Sequence, residues 1–227
     1  MIIELTGLPG VGKSTILKGI KEYEFKEAIV FDVENFIKNI SLFKLNGTIG
    51  YDIILLLKFY KLEKIDCKIL LKSLIILKSN KNSFKYKVNI YRNILKKLII
   101  FRILKNKEEV FLVDEGVSHI GMSLFVDIKS EIIESKVVEF YKNLPKPDRI
   151  LLIDADDSIL LTRVIKRGKE GHARIDFSNK NNIMLFMSKS RNIVEVLKQQ
   201  LKPEIYMNTN VNPNILGVIK LMNIRNV

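Results

Sequence analysis

The sequence contains one cysteine, Cys67. An intramolecular disulfide is therefore excluded, and no second thiolate supports a zinc site. Long apolar runs are missing too. Stretches such as Ile53 to Leu57 and Leu98 to Ile103 are broken by Lys or Arg well before the ~18 uninterrupted residues that a membrane span needs, so they read as buried helix faces. No internal repeat and no low-complexity tail appears. The first residues are taken up by a different pattern, which leaves no room for a signal peptide and makes a cytoplasmic enzyme the expectation. At 227 residues the chain suits one sizeable core, and a single domain over 1–227 with a helical insertion is expected.

Acidic residues are scarce as well: 25 Asp and Glu stand against 38 Lys and Arg, a formal charge of +13. The deficit is local. Between Tyr51 and Lys105 twelve Lys and two Arg face only Asp52, Glu63 and Asp66, a surplus of +11. A surplus of this kind invites a nucleic-acid reading. Lys, Ile and Asn are nevertheless abundant throughout, as a biased base composition would make them, so the segment reads equally as a solvated surface or an anion-binding one. Few aromatic residues interleave with its lysines, which disfavours a base-stacking groove.

What is present begins with Gly7-Leu8-Pro9-Gly10-Val11-Gly12-Lys13-Ser14, followed by Thr15. The pattern is G-x-x-x-x-G-K-S, a phosphate-binding loop. Ile2-Ile3-Glu4-Leu5-Thr6 precedes it as an apolar run, and the residues after it have helical spacing, so the loop lies where a strand hands over to a helix. Its glycines permit a backbone in which successive N–H groups converge on phosphate oxygens, and the helix beginning near Lys13 adds its positive end. Lys13 would reach the β- and γ-phosphates, while the Ser14 hydroxyl would hold Mg²⁺.

Further along, residues 28–32 read as a second buried strand ending in Asp32-Val33-Glu34. Carboxylates at a strand's carboxyl end face the ligand crevice of a parallel sheet. Asp32 and Glu34 are thus candidates for activating an acceptor hydroxyl or placing a metal, with a helix N-cap at Asp32 or Asn35 as the alternative. After a loop over 41–50, helices are expected over about 51–78 and 84–105, forming a hairpin. In the first, Leu55, Phe59, Leu62, Ile65, Ile69 and Ile76 share a face beside Lys61, Lys64, Lys68 and Lys72; in the second, Ile90, Ile94, Leu98, Phe101 and Leu104 form the stripe. Val110-Phe111-Leu112-Val113-Asp114 reads as an apolar strand closed by an acid, whose Asp114 would bind Mg²⁺ directly or through water. Glu115 either shares metal or base duty or caps the next helix, and Gly116 permits a tight exit. His119 and residues 120–143 supply one broken or two short helices with no identifiable chemistry.

A fourth strand over 148–154 leads into a helix over 157–166. Arg163 and Arg167, four apart, lie on one face of it, and Gly168 and Gly171 make the following loop mobile. Cationic groups on such a segment, about 163–176, suit a lid over a transferring phosphate; a solvated helix end favoured by the helix dipole is the alternative. His172 reads as a lid surface residue. Residues 182–200 form an amphipathic helix, 204–208 a fifth strand, and 213–223 a last helix.

This order resembles the P-loop nucleoside and nucleotide kinase superfamily, most of all its thymidylate kinase and deoxynucleoside kinase branches. Gly7 to Thr15 carries the resemblance; Asp114 and Arg163 to Arg167 support it. The resemblance implies an α/β fold, three layers with a five-stranded parallel sheet of order 2-3-1-4-5, and it implies ATP with Mg²⁺ and γ-phosphoryl transfer to a small acceptor. Under it Gly7, Leu8, Pro9, Gly10, Val11, Gly12, Lys13, Ser14 and Thr15 bind the donor phosphates. Arg163 and Arg167 act from the lid, the loop from Asn208 through Thr209 to Asn210 lies near adenine, and Asp32 or Glu34 is the base. An acceptor-binding insertion falls at about 41–106. The chain departs from the pattern where Asp32-Val33-Glu34-Asn35 replaces a proline-containing acidic motif, and where Glu115 replaces an arginine.

The leading expectation is an ATP- and Mg²⁺-dependent kinase of a small acceptor, a nucleoside, a nucleotide or, given the basic hairpin, something more anionic. A polynucleotide-directed kinase and a nucleotide-gated interaction protein are the alternatives. A homodimer is left open, and no membrane partner is expected.

Overall fold

Ile2–Gly7, β1, is buried at every position, and that burial on both faces is what the centre of a parallel sheet requires. The structure, a computed structural model, describes residues 1–22, 28–31, 61–80, 82–126, 131, 133–169, 180–209 and 213–222; for 28–31, 167–169 and 180 it describes the backbone alone. Asp32, Glu34, Asn35, Leu55, Phe59, Gly171, His172 and Asn210 lie outside the described residues.

β1 is followed by helix α1 (Lys13–Glu22) and strand β2 (Ala28–Phe31). Helices α2 (Lys64–Ser79) and α3 (Phe84–Lys105) form the hairpin. Strand β3 (Val110–Asp114) leads through a 3-10 turn, Val117–His119, into α4 (Ile120–Phe125) and α5 (Glu134–Asn143). The remainder is β4 (Arg149–Asp154), α6 (Asp157–Lys169), α7 (Lys180–Leu201), β5 (Glu204–Met207) and α8 (Ile215–Leu221). The strands make one five-stranded sheet in the order β2-β3-β1-β4-β5, every pair parallel. β1 pairs β3 from Ile2 opposite Phe111 to Leu5 opposite Asp114, and pairs β4 up to Gly7 opposite Ile153. The carboxyl ends of β1 and β3 therefore come out side by side, which is where a parallel α/β sheet keeps its ligand crevice.

Helix α2 begins at Lys64, and 62–63 are not helical, so the expected start at 51 is corrected over the described part. The cause is a reciprocal cap: the Glu63 side chain takes the amide of Asp66 while the Asp66 side chain takes the amide of Glu63, which fixes a helix start. Asp66 is fully buried and receives Arg102 from α3 through Nε (2.7 Å) and Nη2 (3.0 Å). Drawing Asp66 inward turns the helix, so the buried face is Asp66, Ile69, Leu70, Ser73 and Leu77. Ile65, expected on the inner face, is exposed. Lys72 is tied to Glu139 of α5. The expected stripe of α3 is buried throughout.

Two further boundaries differ from the sequence reading. α6 runs through Gly168 to Lys169, so Gly168 belongs to the helix and not to a following loop; one glycine in a helix costs only about 1 kcal/mol, which neighbouring turns absorb. α8 starts at Ile215, with the Asn214 side chain capping it by accepting from the Gly217 amide.

In the core, Gly121 of α4 abuts Tyr141 of α5: a Cβ at Gly121 would stand 2.3 Å from the phenolic oxygen. Gly121→Ala is expected to destabilise the chain by about 1–3 kcal/mol, the usual cost of overpacking. Urea denaturation at unchanged m-value measures it.

Candidate functional site

The turn from β1 to α1 is wound by Gly7, Gly10 and Gly12 at φ of 146°, 87° and 95°, conformations that side chains disfavour. Sterics reinforce this at two of them. A Cβ on Gly7 would lie 2.2 Å from the Ile153 carbonyl oxygen of the neighbouring strand, and one on Gly12 would lie 2.6 Å from Asn208 Nδ2. Leu8 and Val11 are buried, whereas Ser14 and Thr15 are exposed in the first turn of α1. The loop thus presents the helix's N-terminal amides and a hydroxyl outward, an arrangement suited to a polyanion.

Neighbouring elements clamp the loop's carbonyls from behind. Asn208, just after β5, donates from Nδ2 to Val11 O (2.6 Å) and is itself fixed by its amide on Asp154 O (2.7 Å). Arg163 of α6 donates from Nη1 to Gly10 O (3.3 Å) and reaches Val11 O (3.5 Å). Asn208 is buried and Thr209 exposed. Arg167 has its backbone in α6, one turn beyond Arg163. Asp154 in turn accepts from Arg191 of α7, which also bonds Asp157. A chain of polar contacts therefore links α7, β4 and the loop.

Lys13 is buried and curls over the loop. Its ammonium donates to Gly7 O (2.9 Å) and Leu8 O (3.2 Å) and lies 3.2 Å from Glu115 Oε1. Glu115, at the tip of β3 directly after Asp114, sets Oε2 3.5 Å from His119 Nε2, and His119 Nδ1 lies 3.3 Å from Thr6 Oγ1. Burial alone would raise the Glu115 pKa. His119, Lys13 and Lys97 overcome that effect and hold its carboxyl far below the usual range. A carboxylate this stabilised is a weak proton acceptor. Sequence reasoning brings together Lys13, Asp114 and the loop; the structure adds His119, for which no role was expected.

Two more residues were missed. Glu4 is a buried acid inside an apolar strand, accepting the amides of Val117 (2.8 Å) and Ser118 (2.8 Å) and so capping the 3-10 turn that carries His119. A Cβ on Gly116 would strike Glu4 Oε1 at 2.2 Å, so the glycine makes room for the carboxylate. Burial raises the Glu4 pKa against the pull of these donors. The available signal was one charged letter in Ile2-Ile3-Glu4-Leu5. Lys97 comes from α3, within electrostatic reach of Glu115, Glu4 and Asp114; burial pushes its ammonium down to about 8 despite those acids.

That shift gives a pH expectation. Lys97 loses its proton in the folded chain near 8 but in the unfolded chain near 10.5, so between these values the unfolded state binds more protons and stability rises with pH. Denaturation of Lys97→Met is expected to lack that rise, measured as the wild-type-minus-variant stability across pH 8 to 10.5.

The donors suited to a metal are all oxygens, the Ser14 hydroxyl and Asp114, while the Glu115 carboxylate is engaged by Lys13 and His119. A hard cation such as Mg²⁺ takes such ligands, needing one or two carboxylates with substrate phosphates supplying the rest. Among the described residues no group of three or more His, Cys, Asp or Glu gathers as a metal site. Among the same residues no helix is long and apolar enough to cross a membrane.

No protein-family model and no curated protein sequence matches this chain. Solved structures do. The chain superposes on thymidylate kinase from Ehrlichia chaffeensis with a TM-score of 0.50 at 13% identity, covering 99% of this chain and 98% of that one. Deoxyadenosine kinase from M. mycoides with bound dCTP matches with a TM-score of 0.49 at 15% identity over 98% and 99% of the two chains. At such identities the likeness is one of fold, and it extends over nearly the whole length.

Proposed function

We propose that the chain is an ATP- and Mg²⁺-dependent kinase that transfers the γ-phosphoryl group to a small acceptor, a nucleoside or nucleotide being the expected class. The observation that carries this is the loop at residues 7–14, its glycines at positive φ, with Lys13 in ion-pair contact with the acidic tip of β3. The fold shared with thymidylate kinase supports it.

In this reading the amides of Gly10 to Thr15 bind the donor's phosphates and Lys13 leaves Glu115 to neutralise charge on the β- and γ-oxygens. Ser14 and Asp114 hold the cation, which supplies charge neutralisation on the phosphate oxygens. Arg163 keeps the loop in shape through its carbonyls, and Arg167 clamps the transferring group. Asn208 and Thr209 flank the adenine side, Asn208 by fixing the loop backbone. Asp32 or Glu34 receives the acceptor's proton. Transfer from ATP to a panel of nucleosides, nucleotides and sugars tests the reading; ATP hydrolysis with no transfer to any of them would refute it.

One observation favours a second reading, a nucleotide-gated interaction protein. The outward face of α2 carries exposed Leu71, Leu74 and Ile75 among exposed Lys64, Lys68 and Lys78. Slow hydrolysis together with a nucleotide-dependent change in oligomeric state would support that reading over the kinase.

A further inference from the structure

Two acidic residues, Asp114 and Glu115, are consecutive at the tip of β3, and the backbone of the second is unusual. Glu115 takes φ of 51°, a left-handed conformation uncommon for a residue of this kind. Its amide donates to Leu5 O (2.9 Å), tying the turn to the end of β1. The carboxylate is thereby directed at the phosphate loop, with Oε1 3.2 Å from Lys13 Nζ and Oε2 3.5 Å from His119 Nε2.

Among the described residues Lys13 is already matched, donor for acceptor. An ammonium has three N–H donors, and three acceptors surround it: Gly7 O, Leu8 O and Glu115 Oε1. A polyphosphate engages Lys13 only by displacing one of them. The two carbonyls belong to the loop backbone, whereas Glu115 is a side chain that is 42% exposed and free to turn about its own bonds. Once displaced, its negative charge stays beside Asp114, next to the incoming phosphates.

We propose that Glu115 is a specificity-determining residue that makes nucleotide binding conditional on the divalent cation. It competes with phosphate for Lys13, and it leaves uncomplexed polyphosphate facing two adjacent carboxylates, a repulsion that a bound cation cancels. The inference rests on the reading of the loop as a nucleotide site.

The test is calorimetric titration of ATP into the full chain, with excess Mg²⁺ and with EDTA, for wild type, Glu115→Gln, Glu115→Gly and Lys13→Ala. Glu115→Gln keeps the shape and removes the charge; Glu115→Gly removes the carboxylate while suiting a backbone at φ 51°. Both are expected to tighten metal-free binding at least about tenfold, a change of ~1.4 kcal/mol, while Mg·ATP affinity moves much less, so the ratio of the two constants collapses. An unchanged ratio in both variants, or equal weakening with and without Mg²⁺, overturns the role of Glu115 and leaves the nucleotide site standing. Wild type that binds ATP in neither condition, or Lys13→Ala that binds like wild type, overturns the nucleotide reading and the inference with it.

Discussion

Lys13→Ala is expected to lower phosphoryl transfer from ATP by about 10²- to 10³-fold, the range seen when one preorganised donor to developing charge is removed. The side chain is buried and already held over the loop by Gly7 O and Leu8 O, so under the kinase reading its charge is in place before phosphate arrives. Little reorganisation is then needed at the moment of transfer. Folding survives the change. What is lost is a pair of hydrogen bonds to carbonyls and one ion pair with a partly exposed partner, together about 1–3 kcal/mol. Lys13→Arg is expected to fail in the same way, because a planar guanidinium does not match the three acceptors that a compact ammonium meets. A coupled assay for ADP, read beside a thermal melt, separates the catalytic loss from the structural one.

Asp66→Ala is expected to cost about 3–5 kcal/mol, the usual penalty for stripping one partner from a buried ion pair. Asp66 has no exposed surface and Arg102 is only 12% exposed at its side chain. The variant leaves the guanidinium with Glu63 Oε1 at 2.5 Å, a partner that is itself 61% exposed. It also removes the acceptor for the Glu63 amide (2.9 Å) that starts α2. Hairpin helices α2 and α3 are thus unpinned at their open end. Replacing both residues, Asp66→Leu with Arg102→Met, is expected to recover most of the loss, since an apolar pair in this position avoids burying charge. Glu63→Ala, which removes the exposed member and half of the reciprocal cap, is expected to cost less, about 1–2 kcal/mol. Urea unfolding of the four proteins decides it.

The parts legible in the sequence were those with a spacing to read. The phosphate loop has a fixed pattern of glycines and a lysine; β3 is an apolar run closed by Asp114; α3 has apolar residues at helical intervals from Ile90 to Leu104, all buried. Where the determining contact is remote in sequence, reading failed. Ile65 fits the apolar stripe of α2, yet the pull of Arg102 on Asp66, 36 residues away, decides which face turns inward. Glu4 and Gly116 explain one another only when β1 and β3 are side by side. His119 gains its role from Thr6, 113 residues earlier, and Lys97 looks like any other lysine of a basic hairpin until burial and three acids single it out. Gly168 reads as part of a mobile loop, but α6 continues through it to Lys169, since one glycine does not end a helix whose other residues favour it.

The most direct measurement is amide hydrogen exchange across residues 7–15 with and without a non-hydrolysable ATP analogue and Mg²⁺. Slowed exchange at the amides of Gly10 to Thr15 on addition of nucleotide, lost in Lys13→Ala, is the expected result. Tight nucleotide binding that leaves those amides exchanging at their free rate would contradict a phosphate site at the head of α1.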